Sequence, residues 1–596
     1  MTRDSLFPEP KSDAEAPRPR LDRRRFLTAT GTGGAALAAA TAGAGALAAP
    51  RRAAAAAPGT PLMRRPGAPV PIAGGPPVPR AAIVALNRMA FGPRAGDLAA
   101  FDALGGNDVD RLTAYVDQQL DPGSIDNSAL VARMNAAGYE SIGLSDNPDT
   151  YLATLWAWYI NDTAPPGNST DTGWARDEMI RATFLRAAYS EAQLVEVLAD
   201  FWHDHFNVHI EHSSFVRATF AHLDLVIRQN LLGNFRTMLE AVSRSTAMLY
   251  YLDNYTSSNA GPNENFCREL FELHTLGAEN YLGVLQQQDV PTDGDGLPIG
   301  YVDADVFEAV RCFTGWSFSY GVDSDGDTGL FHYRPSWHDR FQKNVLGLFI
   351  PQDQPDLKDG RDVLDRLAAH PGTGRHIARR LCRRFIADDP PQSVVDAAAA
   401  VFTAQWQAPD QLSQVVRTIL LSDEFRTTWA EKVKRPFEIA VSALRATGAD
   451  FTPRMDDSDT NSFLWRFDDT GHEPFHWPAP NGFPDVRGAW TSMTPRVMGW
   501  RLVGWMIDFE DSQGDFYLPV VAATPAGVRT PNELADYWID RILGRPMAPE
   551  ARDEIVDFIG EGINPDFDLN LSDPDTADRL RAMVGLIMMS PDFLYR

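Results

Sequence analysis

Residues 190–212, SEAQLVEVLADFWHDHFNVHIEH, carry both a clear helical period and the densest chemistry of the 596-residue chain. Leu194, Val197, Leu198 and Phe201 recur at helical spacing and form one apolar face. Ser190 followed by Gln193 has the form of a capping box, in which each side chain satisfies the other's backbone amide, so a helix is predicted to start there. His203, His205, His209 and His212 fall within ten residues, and all twelve histidines of the chain lie between His203 and His476. If the helix runs on at about 100° per residue, His205, His209 and His212 share one face while His203 points away. If it ends near Asp204, His203 and His205 can approach one ion instead. Grouped imidazoles suit a shared metal. The plainer alternative has His205 bonded to a carbonyl in the core, with His209 and His212 at a surface.

A second helix is predicted to begin at Pro262-Asn263-Glu264-Asn265 and to stop at Gly277. Its run, NENFCRELFELHTLG, buries Phe266, Leu270 and Leu273, with Glu269 on one flank and His274 on the other. Glu264, Glu269 and His274 are therefore candidates to complete a site with the first histidines; the alternative pairs Glu269 with an arginine. Two familiar metal patterns are absent. Glu272 and His274 do not make the Glu-x-x-His of di-iron bundles, and His209 to His212 is H-x-x-H rather than HExxH.

Helical periodicity dominates from Arg80 onward. Residues 81–90 stop before Gly92-Pro93, residues 109–120 before Asp121-Pro122-Gly123, and residues 151–160 carry Trp156 and Trp158, both expected to be buried. No alternating strand pattern recurs, and nothing repeats at a fixed period. The predicted fold class is mainly α: a single large multi-helix domain over residues 80–596, with long Pro/Gly/aromatic loops.

The later segments add polar groups. His338-Asp339 with Lys343 is a compact candidate catalytic set, because an Asp beside a His can hold its tautomer; the same residues also suit a turn that seats a helix. Residues 370–386 form a basic helix with Pro371 in its first turn. Its Arg375, Arg379, Arg380, Arg383 and Arg384 can hold an anionic group or pair with the chain's own carboxylates. Residues 472–490, HEPFHWPAPNGFPDVRGAW, form a long loop. There Trp477, Phe483 and Trp490 can wall a ligand, and His472 and His476 can reach the histidine cluster; the loop can equally be a belt that closes the core. The turn 323–327, DSDGD, has the carboxylate spacing of a calcium loop but lacks the downstream glutamate. The GWSFSYG at 315–321 lacks the strand-turn-helix setting of a hydrolase elbow.

A net charge of −26 disfavours nucleic acid and anionic membrane as partners. Cys267, Cys312 and Cys382 are too few for a disulfide framework and match no CxxC motif; buried thiols are expected, with one disulfide open after export.

The N-terminus reads as an export signal. DRRRFLT at 22–28 carries the twin-arginine pair Arg23-Arg24, a weakly apolar run follows over 31–49, and Ala46-Leu47-Ala48 offers a cleavage site. The run is too short and too weakly apolar for a stable membrane span. That route carries proteins already folded, with or without an inserted cofactor. Residues 49–79, rich in Ala, Pro, Gly and Arg, read as a flexible linker. The expected location is therefore extracellular or in the cell envelope.

The ordered blocks ALNRMAFGPRAGDL (85–98), FWHDHF (201–206), NENFCRELFELHTLG (263–277), DVFEAVRCFTGW (305–316), WHDRFQKNVLG (337–347), HPGTGRHIARRLCRRFI (370–386), KVKRPFEIAVSALRATG (432–448) and MMSPDFLYR (588–596) resemble the exported bacterial family called domain of unknown function 1800. The resemblance runs from about residue 82 to the last residue. It implies export, and a second exported, sulfatase-like protein encoded nearby as a partner. His203, His205, Glu264, Glu269, His274, His338, Asp339, Lys343 and His370 fall in its blocks; His209 and His212 do not. Helical geometry favours His205 with His209 and His212, whereas the resemblance favours His203 with His205.

Two functions are compatible with these residues. One is a metal-dependent hydrolase or oxidoreductase. A divalent or transition metal would sit on His203, His205, His209, Glu264 and His274, with His338, Asp339, Lys343 and Glu269 as catalytic groups. The other is a non-catalytic envelope protein that binds a partner and uses the same groups as buried structural networks.

Overall fold

A computed structural model of the chain describes residues 76–163, 170–322, 326–508 and 516–596. The expected export signal, the linker up to residue 75 and most of the acidic turn 323–327 lie outside the described residues.

Helices dominate, and polar caps start many of them. The helices that position the site begin with α1 (Ala81–Arg88) and α2 (Asp108–Gln119), the latter capped by the Asn107 side chain, which accepts from the amides of Val109 and Asp110. α3 (Pro148–Tyr159) and α4 (Thr172–Tyr189) start on Asn147 and Asp171 in the same way. α5 (Gln193–His205) is the histidine helix, and α6 (Ser214–Asn230), capped by Ser213, returns along it. α7 (Asn265–Glu269) runs straight into a π-helical turn, Leu270–His274. α8 (Asp303–Phe313) precedes two small hairpins, β1–β2 (Trp316–Tyr320, Asp327–Tyr333) and β3–β4 (Lys343–Val345, Leu348–Ile350). α9 (Lys358–Ala369), α10 (Pro371–Phe385) and α11 (Pro436–Thr447) follow. The last long helices are α12 (Met493–Asp508), α13 (Pro531–Leu543), α14 (Pro549–Gly560) and α15 (Pro574–Met589).

The mainly α expectation holds. The strands of the described residues form three two-stranded antiparallel pairs, the third joining Asp450–Phe451 to Phe516–Tyr517. In β1–β2, Trp316 faces Tyr333 and Phe318 faces Phe331, so GWSFSYG is the buried strand of a hairpin. One large apolar core runs through the described helices, with Trp156, Trp202, Trp316 and Trp538 fully buried. Deleting one such ring costs about 3–5 kcal/mol, which makes the FWHDHF segment a structural anchor as well as a polar one. All three cysteines are buried, free thiols.

Two local expectations are corrected. Ser190 does not cap α5; its amide bonds the Arg186 carbonyl and so ends α4. Gln193 instead receives the Phe91 amide and donates to the carbonyls of Ala187 and Ser190, which ties α1, α4 and α5 together. Trp158 is half-buried, because it lies on the outer side of α3 while Trp156 stacks on Phe215.

Candidate functional site

α5 stops at His205, with no glycine or proline to end it. Groups from far along the chain take its place. The Asn207 carboxamide donates to the carbonyls of Trp477 and Ala479, and Arg380 donates to the Asp204 carbonyl at 3.4 Å. Gly482, at φ +71°, lies so close that a Cβ would overlap the Asp204 carbonyl. The extended stripe of His205, His209 and His212 therefore does not form. Within α5, His203 and His205 sit two residues apart and point to opposite sides.

On the His203 side, Nε2 meets Asp224 Oδ1 of α6 at 3.0 Å, with the ring between Phe220 and Phe475. Asp224 also accepts from Arg186 and Arg228, and Arg228 reaches Glu196. Burial pushes the Asp224 carboxyl up, but Arg228, Arg186 and His203 outweigh it and hold it far below the usual carboxylate range. His203, Asp200, Asp204 and Glu196 line a cavity of about 30 Å³, with Phe475 and Phe483 of the aromatic loop also in its lining. That space holds one or two waters and no substrate, since one water needs about 10–15 Å³. Phe475 is held at φ +66°, a strained conformation for a bulky side chain.

Behind the cavity lies a buried ion network. Arg435 pairs with Asp200 and Asp204, Arg384 with Asp200 (3.0 Å) and Glu438 (2.6 Å), and Arg596 with Glu438 (2.7 Å). Lys432 bridges Asp388 and Asp485. Burial raises the Asp204 carboxyl to about 6 against the pull of Arg435, with Asp200 adding to the rise. Burial alone would raise Glu438 too, but Arg596, Arg384 and Arg435 bring it down to about 2. Such a network adds little net stability over an apolar core, yet removing one member is costly. His472 seals it, with Nδ1 accepting from the Phe437 amide and its ring against Phe483 and Trp490. Most of loop 472–490 thus serves as the belt over the core.

On the His205 side, Nε2 donates to the His274 carbonyl at 3.1 Å, and Nδ1 is buried without a partner. The His274 ring lies 6.1 Å away between centroids, with its Nε2 also buried and unpartnered. Burial, with Arg380 adding to it, lowers His205 well below the ordinary histidine range and His274 to about 3. His376 completes the group, 6.3 Å from His205, with Nδ1 against Glu279 Oε1 and Nε2 against the Leu273 carbonyl. The π-turn sets His274 here, and Thr275 Oγ1 secures it through the Leu270 carbonyl. Gly277, at φ +86°, leaves room for Glu279 and His376, which a Cβ would strike.

Of the predicted metal ligands, then, His205 and His274 meet. His203 turns to Asp224, His209 faces His476 (6.0 Å), and Glu264 is half-exposed on Arg268. Among the described residues no group of three or more His, Cys, Asp or Glu is placed to hold a metal ion. Of the predicted catalytic groups, Glu269 is buried on α7. His338 bonds Asp359 Oδ2 (3.1 Å) and the Thr314 carbonyl (2.9 Å), Lys343 bonds Asp359 (2.6 Å), and Asp339 pairs with Arg311. This set seats α9 on β3. His370 caps α10 and reaches the Pro298 carbonyl. His376, Asp200, Asp204, Arg435 and Glu438 escaped the sequence reading as site residues, while Arg380 was read there only as one of five arginines able to hold an anionic group. The available signal was that all but Asp200 fall in the ordered blocks, and that His376 and Arg380 are one helical turn apart.

Fold and site together define a mainly α-helical protein in which several of the ordered sequence blocks meet at the end of one helix. The chain belongs to the family Protein of unknown function (DUF1800), which it matches over residues 84–595. No curated protein and no solved structure matches it. No helix among the described residues is long and apolar enough to cross a membrane.

Proposed function

We propose that this chain is an enzyme exported by the twin-arginine route that performs acid–base hydrolysis at the cavity beneath loop 472–490. One observation carries the reading: His203, Asp200 and Asp204 line a single water-sized cavity, and a buried carboxylate orients the imidazole. A His203 ring that donates Nε2–H to Asp224 keeps its Nδ1 lone pair to take a proton from water. Asp204, fixed by Arg435 and the Phe483 amide, is the neighbouring carboxyl to return a proton to a leaving group. Substrate would enter past Phe475 and Phe483 in the cavity lining, and the strain at Phe475 favours movement there.

The test is turnover by the mature protein on chromogenic carboxylic, phosphate and sulfate esters and glycosides. His203→Gln and Asp204→Asn are each expected to lower turnover about 100-fold or more with the fold kept. Variants as active as wild type would overturn the reading. So would a wild-type protein silent across the set that instead copurifies with a stoichiometric envelope partner, which would favour the non-catalytic alternative.

A further inference from the structure

A face that the acid–base reading does not use surrounds the β3–β4 hairpin. Phe341 in the turn before β3, Phe349 on β4 and Phe307 on α8 are 73%, 61% and 54% exposed, and Val284 in the loop before α8 is 79% exposed. Hydrogen bonds hold these segments side by side. Glu308, next to Phe307, accepts the Asn344 amide, and Asn344 is the cross-strand neighbour of Phe349. Asp339 pairs with Arg311 of α8 and accepts the Phe341 amide. Gln287, three residues after Val284, donates to Asp305 and to the Asn344 carbonyl, while the Gly283 carbonyl accepts the Asp303 amide. On α8, Val306, Ala309, Val310 and Phe313 turn to the core, so Phe307 sits on the outward side. The three phenylalanines alone leave roughly 300–450 Å² of side chain in solvent. Single exposed apolar side chains are ordinary, but a set of that size on neighbouring segments marks an interaction site.

The charge around these rings selects the partner. Residues 278–308 hold seven Asp and Glu and no Lys or Arg. Asp289, Asp293 and Asp295 among them are exposed. The nearby Arg268 and Arg311 are already paired, with Glu264 and Asp303 and with Glu308 and Asp339. Arg340 is exposed beside Phe341, and Lys343 is buried on Asp359. An acidic rim repels an acidic partner and draws a basic one, and the net charge of −26 acts the same way at longer range. A second copy of the chain would set one acidic rim against another. We propose that this face docks a partner protein through a cationic amphipathic segment. Its apolar side chains would cover Phe307, Phe341 and Phe349, and its Lys and Arg would meet Asp289, Asp293 and Asp295. The face shares no residue with the cavity beneath loop 472–490, so this inference and the hydrolytic reading can fail separately.

The probe is a dye-labelled amphipathic peptide of about 18 residues, five helical turns with Leu on one face and Lys on the other. Two controls keep its length: one replaces every Leu by Ser, the other every Lys by Glu. Fluorescence anisotropy with the full chain at pH 7 and about 0.15 M salt is expected to show saturable one-to-one binding of the probe, at least about tenfold tighter than either control. Phe341→Ser combined with Phe349→Ser leaves the charge unchanged, and is expected to weaken binding at least about tenfold with circular dichroism unchanged. Phe307→Ser repeats the test on α8 should the hairpin variant not fold. Phe567→Ser, at a site 62% exposed outside this face, is expected to change nothing. Three results would each overturn the proposal: no saturation below about 1 mM, equal affinity for the Ser control, or full binding by the folded hairpin and Phe307 variants. Sedimentation that shows a dimer of the chain, lost in the hairpin variant, would overturn it in favour of a second copy on this face.

Discussion

Glu438→Gln removes the carboxylate that Arg384 and Arg596 share, while keeping its shape. In the folded protein that carboxyl accepts from Arg384 at 2.6 Å, from Arg596 at 2.7 Å and from the Arg435 amide at 2.8 Å, with its side chain 3% exposed. Its pKa stands at about 2 against an ordinary 4.5. A gap of about 2.5 pH units, at about 1.4 kcal/mol each, makes the ionised form worth roughly 3.5 kcal/mol to the fold. Breaking one member of a buried ion network costs about 3–5 kcal/mol by an independent route, so the two magnitudes agree. Urea unfolding of wild type and variant, followed by tryptophan fluorescence, reads the difference directly. Because the folded pKa is depressed, the contribution is complete above pH 4.5 and is lost as pH falls from 4.5 toward 2. The gap between the two proteins is therefore expected at roughly 3.5 kcal/mol at pH 7 and at less than about half that near pH 3. A gap under about 1 kcal/mol at pH 7, or one that does not narrow in acid, would refute the idea that this carboxylate neutralises the arginines behind the cavity.

Two further substitutions probe how the site is held. Gly482→Ala places a methyl on the Asp204 carbonyl at a left-handed φ, and is expected to cost at least about 2 kcal/mol and to expose loop 472–490 to limited proteolysis. Wild-type resistance would show that the loop does not depend on that close approach. Lys343→Met leaves Asp359 to His338 and Gln354, and is expected to cost about 3 kcal/mol of stability with turnover per folded molecule unchanged. A turnover loss larger than the loss of folded protein would return His338, Asp339 and Lys343 to the catalytic set.

Much of the candidate site was legible as residues but not as partners. His205 and His274 stood out by residue type and by their place in ordered blocks, and they do meet. His376 carries the same two signals, but nothing local joins it to the other two, because its ring faces His205 only once α10 lies against the π-turn. His338 and Asp339 are adjacent in the chain, yet the imidazole takes Asp359 instead, twenty-one residues on. Adjacent side chains along a loop seldom face each other, and nothing local revealed Asp359 as the nearer acid.

The helical class followed from periodicity alone, since an apolar residue every three or four positions commits a segment to one buried face whatever it packs against. Family membership followed likewise from the order of the blocks. What the linear order left undecided was the end of α5, where Phe206 and Asn207 carry no stop signal of their own. Arg380, Trp477, Ala479 and Gly482 end that helix from more than 170 residues away. Once it ends at His205, the imidazoles of His203 and His205 point to opposite sides, one into a network of acids and arginines and the other toward two more histidines. The direction of a side chain depends on where its helix stops, and here only contacts made in three dimensions settle that.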